Sequence, residues 1–123
     1  MGKKILIVDD SNTMRKIVGR SLRQAGLDFD EVFEAGDGQE ALNLLATQKV
    51  DLILSDINMP NMDGLEFLRQ KAANPAIKGI PVVMISTEAG SDIIGEATSL
   101  GAAGSIKKPF TPDQVSATLG ALL

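Results

Sequence analysis

Acidic side chains end two of the apolar segments of this chain. The segment ILIVDD ends in Asp9 and Asp10, and the segment DLILSD ends in Asp56. A third apolar segment ends at Ser86, and Lys108 lies near the C-terminus. If these segments are parallel strands of one sheet, their carboxyl ends lie along one edge, where α/β proteins bind ligands. Carboxylates, a hydroxyl and an ammonium then meet at one place, which suits a hard cation and a phosphoryl group.

Three aspartates packed together repel one another, and a bound cation relieves that repulsion. Since the donors are all oxygens, we expect Mg²⁺, with Mn²⁺ as a substitute in vitro. In a phosphoryl transfer, the cation, Lys108 and the Ser86 hydroxyl neutralise the phosphoryl oxygens. One of the aspartates can then act as the nucleophile, and the product is an acyl phosphate.

Each of these residues taken alone has a simpler interpretation. An aspartate after a strand is usually a solvated loop residue, and a lone lysine is usually a surface residue. Asp63 is better interpreted as a helix cap than as a metal ligand. The inference therefore depends on the combination of three strand-end acids with Ser86 and Lys108.

Composition limits the alternatives. The chain has 123 residues, 44% of them hydrophobic, so we expect one domain over residues 1–123 and no separate output module. It has no Cys and no His, which excludes disulfides, thiolate or imidazole ligands, and phosphohistidine. The net charge of −4 without basic clusters in the sequence argues against nucleic-acid binding. No apolar run reaches the roughly 18 to 20 residues of a membrane span, and the N-terminus leaves no room for a signal peptide, so we expect a cytoplasmic protein without membrane insertion.

Five strand-like segments alternate with five helix-like segments. The strands are predicted at residues 5–8, 31–34, 52–54, 81–85 and 103–106. Helix caps are predicted at Ser11, Asp37, Asp63 and Thr111. In the first helix an apolar pattern recurs at helical spacing, formed by Met14, Ile17, Val18, Leu22 and Ala25. Strict alternation predicts a parallel sheet with right-handed crossovers.

Four separated motifs together resemble the receiver domains of two-component response regulators, and in particular single-domain chemotaxis regulators. They are ILIVDD, DLILSDINMPNMDGLEFL, PVVMIST and KKPF, and the likeness extends through FEAGDGQEAL to the terminal helix. The resemblance implies a flavodoxin-like, five-stranded parallel sheet in the order 2-1-3-4-5, with five helices on both faces.

The resemblance also implies a role for each site residue. Asp56 matches the phosphoryl-accepting aspartate, and with Asp9 and Asp10 it would hold Mg²⁺. The backbone carbonyl of Asn58 matches a further metal ligand. Ser86 and Lys108 match the hydroxyl and the ammonium that hold the phosphoryl group. Two residues, Asn58 and Glu88, match positions that tune hydrolysis of the acyl phosphate, and the peptide bond before Pro109 is expected to be cis.

Two positions depart from the family pattern. The family usually carries Tyr or Phe three residues before the conserved lysine, as an aromatic switch, whereas this chain has Ser105. A small residue commonly follows the conserved hydroxyl, whereas here Thr87 is β-branched and crowds the access to Asp56. We therefore expect a switch region of Ser86, Thr87 and Ser105 that does not use an aromatic ring.

The implied function is that of a stand-alone, monomeric response regulator. It would take a phosphoryl group from a histidine kinase of the chemotaxis type, and change its binding to a protein target through residues 88–123. That target would be a flagellar motor switch or a phosphatase. Such a protein catalyses its own phosphorylation and dephosphorylation and is not an enzyme with a separate substrate.

Two alternatives stay open: a phosphate sink or phosphorelay shuttle without motor output, and a small Mg²⁺-dependent phosphohydrolase. A flavodoxin-like electron carrier is disfavoured, because the chain has no Trp or Tyr to stack on a flavin.

Overall fold

Five β-strands alternate with five α-helices in the computed structural model, which describes residues 3–27, 29–57, 59–86, 91–107 and 112–120. The strands are β1 (Lys4–Val8), β2 (Glu31–Ala35), β3 (Leu52–Asp56), β4 (Val82–Ser86) and β5 (Gly104–Lys107). The helices are α1 (Asn12–Gln24), α2 (Gly38–Leu45), α3 (Gly64–Ala72), α4 (Ser91–Ser99) and α5 (Pro112–Gly120). The predicted alternation is confirmed, and each strand lies within two residues of its predicted position.

All five strands are parallel, in the order β2-β1-β3-β4-β5. This order confirms the one that the family resemblance implied. The register places Val8 opposite Ser55 and Asp56 opposite Ile85. Since the strands run in the same direction, the residues that follow β1, β3 and β4 lie at the same edge of the sheet.

The core lies on both faces of the three central strands. On one face, α1 and α5 pack on alternate strand residues through Val18, Leu22, Val115 and Leu119. On the other face, α2, α3 and α4 pack on the intervening strand residues through Ala41, Leu45, Phe67, Leu68 and Ala97. Strands covered on both faces are continuously apolar, which is the pattern of the ILIV and LIL segments. Within the described residues, no helix has the length and apolar character needed to cross a membrane.

Helix caps form where the sequence predicts them. The side chains of Ser11, Asp37 and Asp63 accept hydrogen bonds from the amide nitrogens three residues later, at 3.2, 2.8 and 2.9 Å respectively. The predicted cap Thr111 lies outside the described residues. Gly26 and Gly101 follow α1 and α4 with φ of 79° and 106°, a conformation that favours glycine after a helix.

The apolar pattern of α1 predicted a wider buried face than the helix has. Val18 and Leu22 are 2% and 1% exposed, whereas Ile17 is 43% exposed. The buried residues of α1 are Val18, Gly19, Ser21 and Leu22, and at about 100° per residue Ile17 lies outside the face that they form. The helix is therefore anchored by Val18 and Leu22, and Ile17 lies on the surface.

Gly64 begins α3 where the helix comes directly against the end of β3. A Cβ atom at this position would collide with the backbone oxygen of Asp56 and would lie 2.9 Å from Ile57 Cα and 2.8 Å from Met84 Cε. The Gly64 amide also donates to the Ile57 carbonyl at 2.8 Å. The close approach of α3 to the end of β3 thus requires the absence of a side chain at residue 64.

We predict that Gly64→Ala lowers the free energy of unfolding by about 1 to 3 kcal/mol, the usual cost of overpacking, because the clash is with backbone atoms that cannot rotate away. Urea denaturation measures the change. Gly79→Ala is the matched control, since nothing lies within 4 Å of a Cβ at residue 79. Equal stability of the two variants would contradict the close-packing argument.

Candidate metal and phosphoacceptor site

Three carboxylates meet at the carboxyl edge of the sheet, as predicted. One carboxylate oxygen from each of Asp9, Asp10 and Asp56 lies within 4.8 Å of the other two. Asp9 is 4% exposed, Asp56 is half-buried and Asp10 is exposed. The cluster is thus open to solvent on the Asp10 side and supported by protein on the Asp9 side.

Backbone hydrogen bonds fix the two aspartates at the ends of the central strands. The Asp9 amide donates to the Ala35 carbonyl at 3.0 Å, which extends the pairing of β1 with β2 by one residue. The Asp9 Oδ1 atom accepts from the Ser11 amide at 2.9 Å. The Asp56 Oδ1 atom accepts from the Ile57 amide at 2.8 Å. Each carboxylate is therefore oriented by the chain that follows its own strand.

The cluster fits a small, hard cation. Oxygen ligands at about 2.1 Å from Mg²⁺ lie roughly 3 Å apart when adjacent and roughly 4 Å apart when opposite. The three carboxylate oxygens all lie within 4.8 Å of one another, which is close to that range. All three donors are carboxylate oxygens, which favour Mg²⁺ or Mn²⁺ over softer metals.

The ends of β4 and β5 lie at the same edge of the sheet as this cluster, with β4 next to β3 and β5 next to β4. Ile85 pairs with Asp56, and Ser86 at the end of β4 pairs with Lys107 at the end of β5. The Ser86 side chain is not among those described. The other predicted site residues at this edge lie outside the described residues: Asn58, Thr87, Glu88, Lys108 and Pro109.

Ser105 lies on the outer strand of the sheet. Ser105 belongs to β5 and pairs with Met84 of β4, and it is exposed. A cavity of about 260 Å³ lies between β5 and α5, lined by Ser105, Ile106, Gln114, Ala117 and Thr118. The position where the family pattern has an aromatic ring is thus occupied by a small, solvent-facing hydroxyl beside open space.

A model of the response regulator receiver domain matches residues 5–120. The chain belongs to this family. Its relatives include chemotaxis protein CheY of Pseudomonas aeruginosa, which is 44% identical over 88% of this chain and 86% of that protein. They also include chemotaxis protein CheY-3 of Vibrio cholerae, 45% identical over 88% of this chain and 82% of that protein.

Solved structures agree with this assignment. The chain is similar to the chemotaxis response regulator CheY4 of Vibrio cholerae, with a TM-score of 0.87 and 37% identity over the full length of both chains. It is also similar to the phosphorylated cyanobacterial phytochrome response regulator RcpA, with a TM-score of 0.82 and 30% identity over 98% of this chain and 91% of that one. The fold expected from the sequence is therefore that of known receiver domains.

Sequence reasoning missed a second role for Asp37 in this receiver domain. Besides capping α2, its Oδ2 atom accepts a hydrogen bond from Asn61 Nδ2 at 2.9 Å. The Gly38 amide donates to the Met62 carbonyl at 3.0 Å in the same region. These two bonds fasten the segment between β3 and α3 to the start of α2. A capping pattern is local in sequence, whereas Asn61 is 24 residues away, so the pattern gave no signal for this contact.

Sequence reasoning also missed Arg15, which links the acidic cluster to the edge of the sheet. Its Nη1 atom donates to the Asp9 carbonyl at 2.6 Å, and its Nε atom pairs with Glu34 Oε1 at 2.9 Å. Its Nη2 atom donates to Asn12 Oδ1 at 3.2 Å. One guanidinium group thus joins α1, the end of β1 and strand β2 of the receiver.

We predict that Asp37→Ala destabilises the receiver by about 2 to 4 kcal/mol, because it removes a helix cap and a charge-assisted hydrogen bond to Asn61. Asp63→Ala is the matched control, because Asp63 caps α3 but is exposed. Its loss should lower the free energy of unfolding by only about 1 kcal/mol. Denaturant unfolding of both variants measures the difference, and equal losses would contradict the second role of Asp37.

The same contact has a pH signature. The Asn61 hydrogen bond, with amide hydrogen bonds at the start of α2, lowers the pKa of Asp37 from its ordinary value of 3.8. The unfolded chain therefore binds this proton first as the pH falls. The Asp37 contribution is fully present above that ordinary value and is lost as the pH falls through the lowered pKa. The stability gap between the wild type and Asp37→Asn should close over that acidic interval, and a gap that is constant with pH would contradict the assignment.

Proposed function

We propose that this receiver accepts a phosphoryl group on Asp56 from a histidine kinase in a Mg²⁺-dependent reaction. The carrying observation is the convergence of Asp9, Asp10 and Asp56 within 4.8 Å at the carboxyl edge of the sheet. A half-buried aspartate beside two further acids suits a nucleophile whose charge is balanced by a metal ion. Membership of the receiver family supports the same assignment.

The residues of the chain divide the work of the transfer. A carboxylate oxygen of Asp56 forms the new bond to phosphorus, while the phosphorus–nitrogen bond of the donor breaks and the imidazole leaves. Asp9 and Asp10 hold the cation, together with the Asn58 carbonyl, and Mg²⁺ when bound supplies positive charge to the phosphoryl oxygens. Ser86 and Lys108 contact the remaining oxygens. The pairing of β3 with β4 and of β4 with β5 supports this placement, because it brings the three strand ends side by side.

We assign the product to signalling in chemotaxis. Two relatives with 44% and 45% identity carry the name chemotaxis protein, and each is covered over more than four fifths of its length. The phosphorylated receiver then changes its affinity for a protein target, a flagellar motor switch or a phosphatase, through residues 88–123. Asn58 and Glu88 tune the lifetime of the acyl phosphate, and Thr87 narrows the access to Asp56.

A phosphate sink or phosphorelay shuttle is the second candidate, and Ser105 favours it. The exposed serine on β5 has no aromatic ring that could turn inward on phosphorylation. We expect amide hydrogen exchange in residues 91–107 to differ between the free and phosphorylated receiver if it is an effector. If exchange in this region is unchanged while Asp56 is phosphorylated, the effector hypothesis is rejected in favour of a phosphate sink or phosphorelay shuttle.

Labelling of Asp56 tests the chemistry directly. With a small acyl phosphate as donor and Mg²⁺ present, the mass of the intact protein should increase by one phosphoryl group. Asp56→Asn should abolish the increase, because an amide cannot act as the acceptor. Asp30→Asn, at an exposed aspartate away from the cluster, is the matched control and should be labelled like the wild type.

The alternative outcomes separate the competing hypotheses. Undiminished labelling of Asp56→Asn would reject the assignment of the acceptor, and undiminished labelling in excess chelator would reject the metal. Steady turnover of a small phosphomonoester would favour a phosphohydrolase over a signalling receiver. Since the chain has no Trp, mass is a more direct measurement than intrinsic fluorescence.

A further inference from the structure

A groove runs between the outer side of α1 and the edge strand β2. It encloses about 360 Å³ and is lined on the helix side by Lys16, Gly19, Arg20 and Arg23. These residues follow one another at spacings of three, one and three, which places them along one stripe of the helix. Val32 and Glu34 of β2 form the opposite side, and Arg15 lies at the end of the groove nearest Asp9.

The groove is cationic although the chain is acidic. Its lining contains four cations and one carboxylate, whereas the whole chain has a net charge of −4. Glu34 is paired with Arg15, and Glu31 is paired with Lys4. Among the residues that the structure describes, no acidic side chain pairs with Lys16, Arg20 or Arg23. Three positive charges on one helix stripe are thus available to an outside partner.

Gly19 lies in the middle of α1, between the cationic residues. A glycine in a helix interior costs roughly 0.5 to 1 kcal/mol relative to alanine, so its presence calls for a packing reason. Nothing in the chain lies within 4 Å of a Cβ atom at residue 19. The fold itself therefore does not require glycine at this position. Gly19 is buried and lies at the bottom of the groove.

Val32 gives the groove an apolar surface. It is 42% exposed, and with Ile17 it is one of the two large hydrophobic side chains described as exposed. Val32 pairs with Ile5 of β1, which packs with Val18 and Leu22 of α1, so Val32 lies on the α1 face of the sheet. The buried Gly19 and the exposed Val32 are thus the apolar residues that line the groove.

We propose that this groove binds an extended, acidic segment of a partner protein. Its carboxylates pair with Lys16, Arg20 and Arg23, and one apolar side chain contacts Gly19 and Val32. The stripe from residue 16 to residue 23 is about 10 Å long, at about 1.5 Å per helical residue. An extended segment of three to four residues spans that distance, at about 3.3 Å per residue.

Charge argues for a protein segment over a nucleic acid. Glu34 lines the strand side of the groove, and the chain as a whole has a net charge of −4. Both disfavour a polyanion that extends beyond the cationic stripe. A short extended peptide with several acidic side chains and one apolar side chain can contact the cations of the helix and Val32 of the strand. The proposal does not depend on phosphorylation of Asp56, so either can fail without the other.

Titration with a defined peptide tests the groove. The probe is the hexapeptide Asp-Glu-Leu-Asp-Glu-Asp, and the same peptide with Asn and Gln in place of the acids is its control. In amide NMR spectra of the intact chain we expect saturable shifts at residues 16–23 and at Val32. The shifts should weaken with added salt and should be absent with the neutral peptide.

Two matched double variants distinguish the contribution of the groove cations to peptide binding from the effect of net charge. Arg20→Gln/Arg23→Gln and Lys49→Gln/Lys78→Gln each remove two exposed cations, so both have the same net charge. The first should weaken peptide binding about tenfold or more, and the second should change it less than about twofold. Gly19→Gln should also weaken binding, because its side chain would occupy the groove. A Cβ atom at residue 19 meets nothing within 4 Å, so we expect the fold to be kept, and the melting temperature of the variant checks this.

Several outcomes would overturn the proposal. These are the absence of saturable shifts up to millimolar peptide, equal weakening by the two double variants, and undiminished binding by Gly19→Gln. Short single-stranded DNA and vesicles containing an anionic lipid form two further arms. If either probe binds at residues 16–23 more tightly than the peptide does, the groove binds a nucleic acid or a membrane surface, and the proposed acidic protein segment is rejected.

Discussion

The register between β1 and β3 is the constraint on which the site depends. With Val8 opposite Ser55, the next residues are Asp9 and Asp56, so two carboxylates emerge side by side from the central strands. Two unit charges about 4 Å apart near a protein surface repel by about 4 kcal/mol. The repulsion between Asp10 and the other two aspartates is weaker, because Asp10 is exposed to solvent. The apolar strands behind them offset this cost. Ile5 to Val8 and Leu52 to Leu54 are at most 1% exposed, and burial of each such side chain contributes about 1.5 to 3 kcal/mol.

Secondary contacts keep that edge in place on both sides of the acids. Gly64 lets α3 begin directly against the end of β3, and the Asp37–Asn61 hydrogen bond attaches the intervening segment to α2. On the other side, Arg15 joins the Asp9 carbonyl to Glu34. The acidic cluster is therefore supported from three different helices, α1, α2 and α3.

The sequence predicts the local features of this receiver well. Continuous apolar runs identified β1, β3 and β4 because both faces of these strands are buried, and the caps at Ser11, Asp37 and Asp63 formed because their partners are three residues away. The strand order came only from the family resemblance, since alternation of strands and helices is compatible with several orders. The clustering of Asp9, Asp10 and Asp56 followed from parallel strands ending at one edge. The metal ion and the phosphoryl transfer stay predictions.

What the sequence could not predict is long-range and geometric. Arg15 contacts a residue 19 positions away, and no periodicity links it to Glu34. The exposure of Ile17 depends on which side of α1 meets the sheet. Arg15 also gives Glu34 a structural role that its place on an exposed edge strand would not suggest. A substitution at residue 34 leaves a guanidinium group without its carboxylate next to the backbone of Asp9. Positions 15 and 34 are therefore constrained as a pair, and an alignment of relatives should show them covarying.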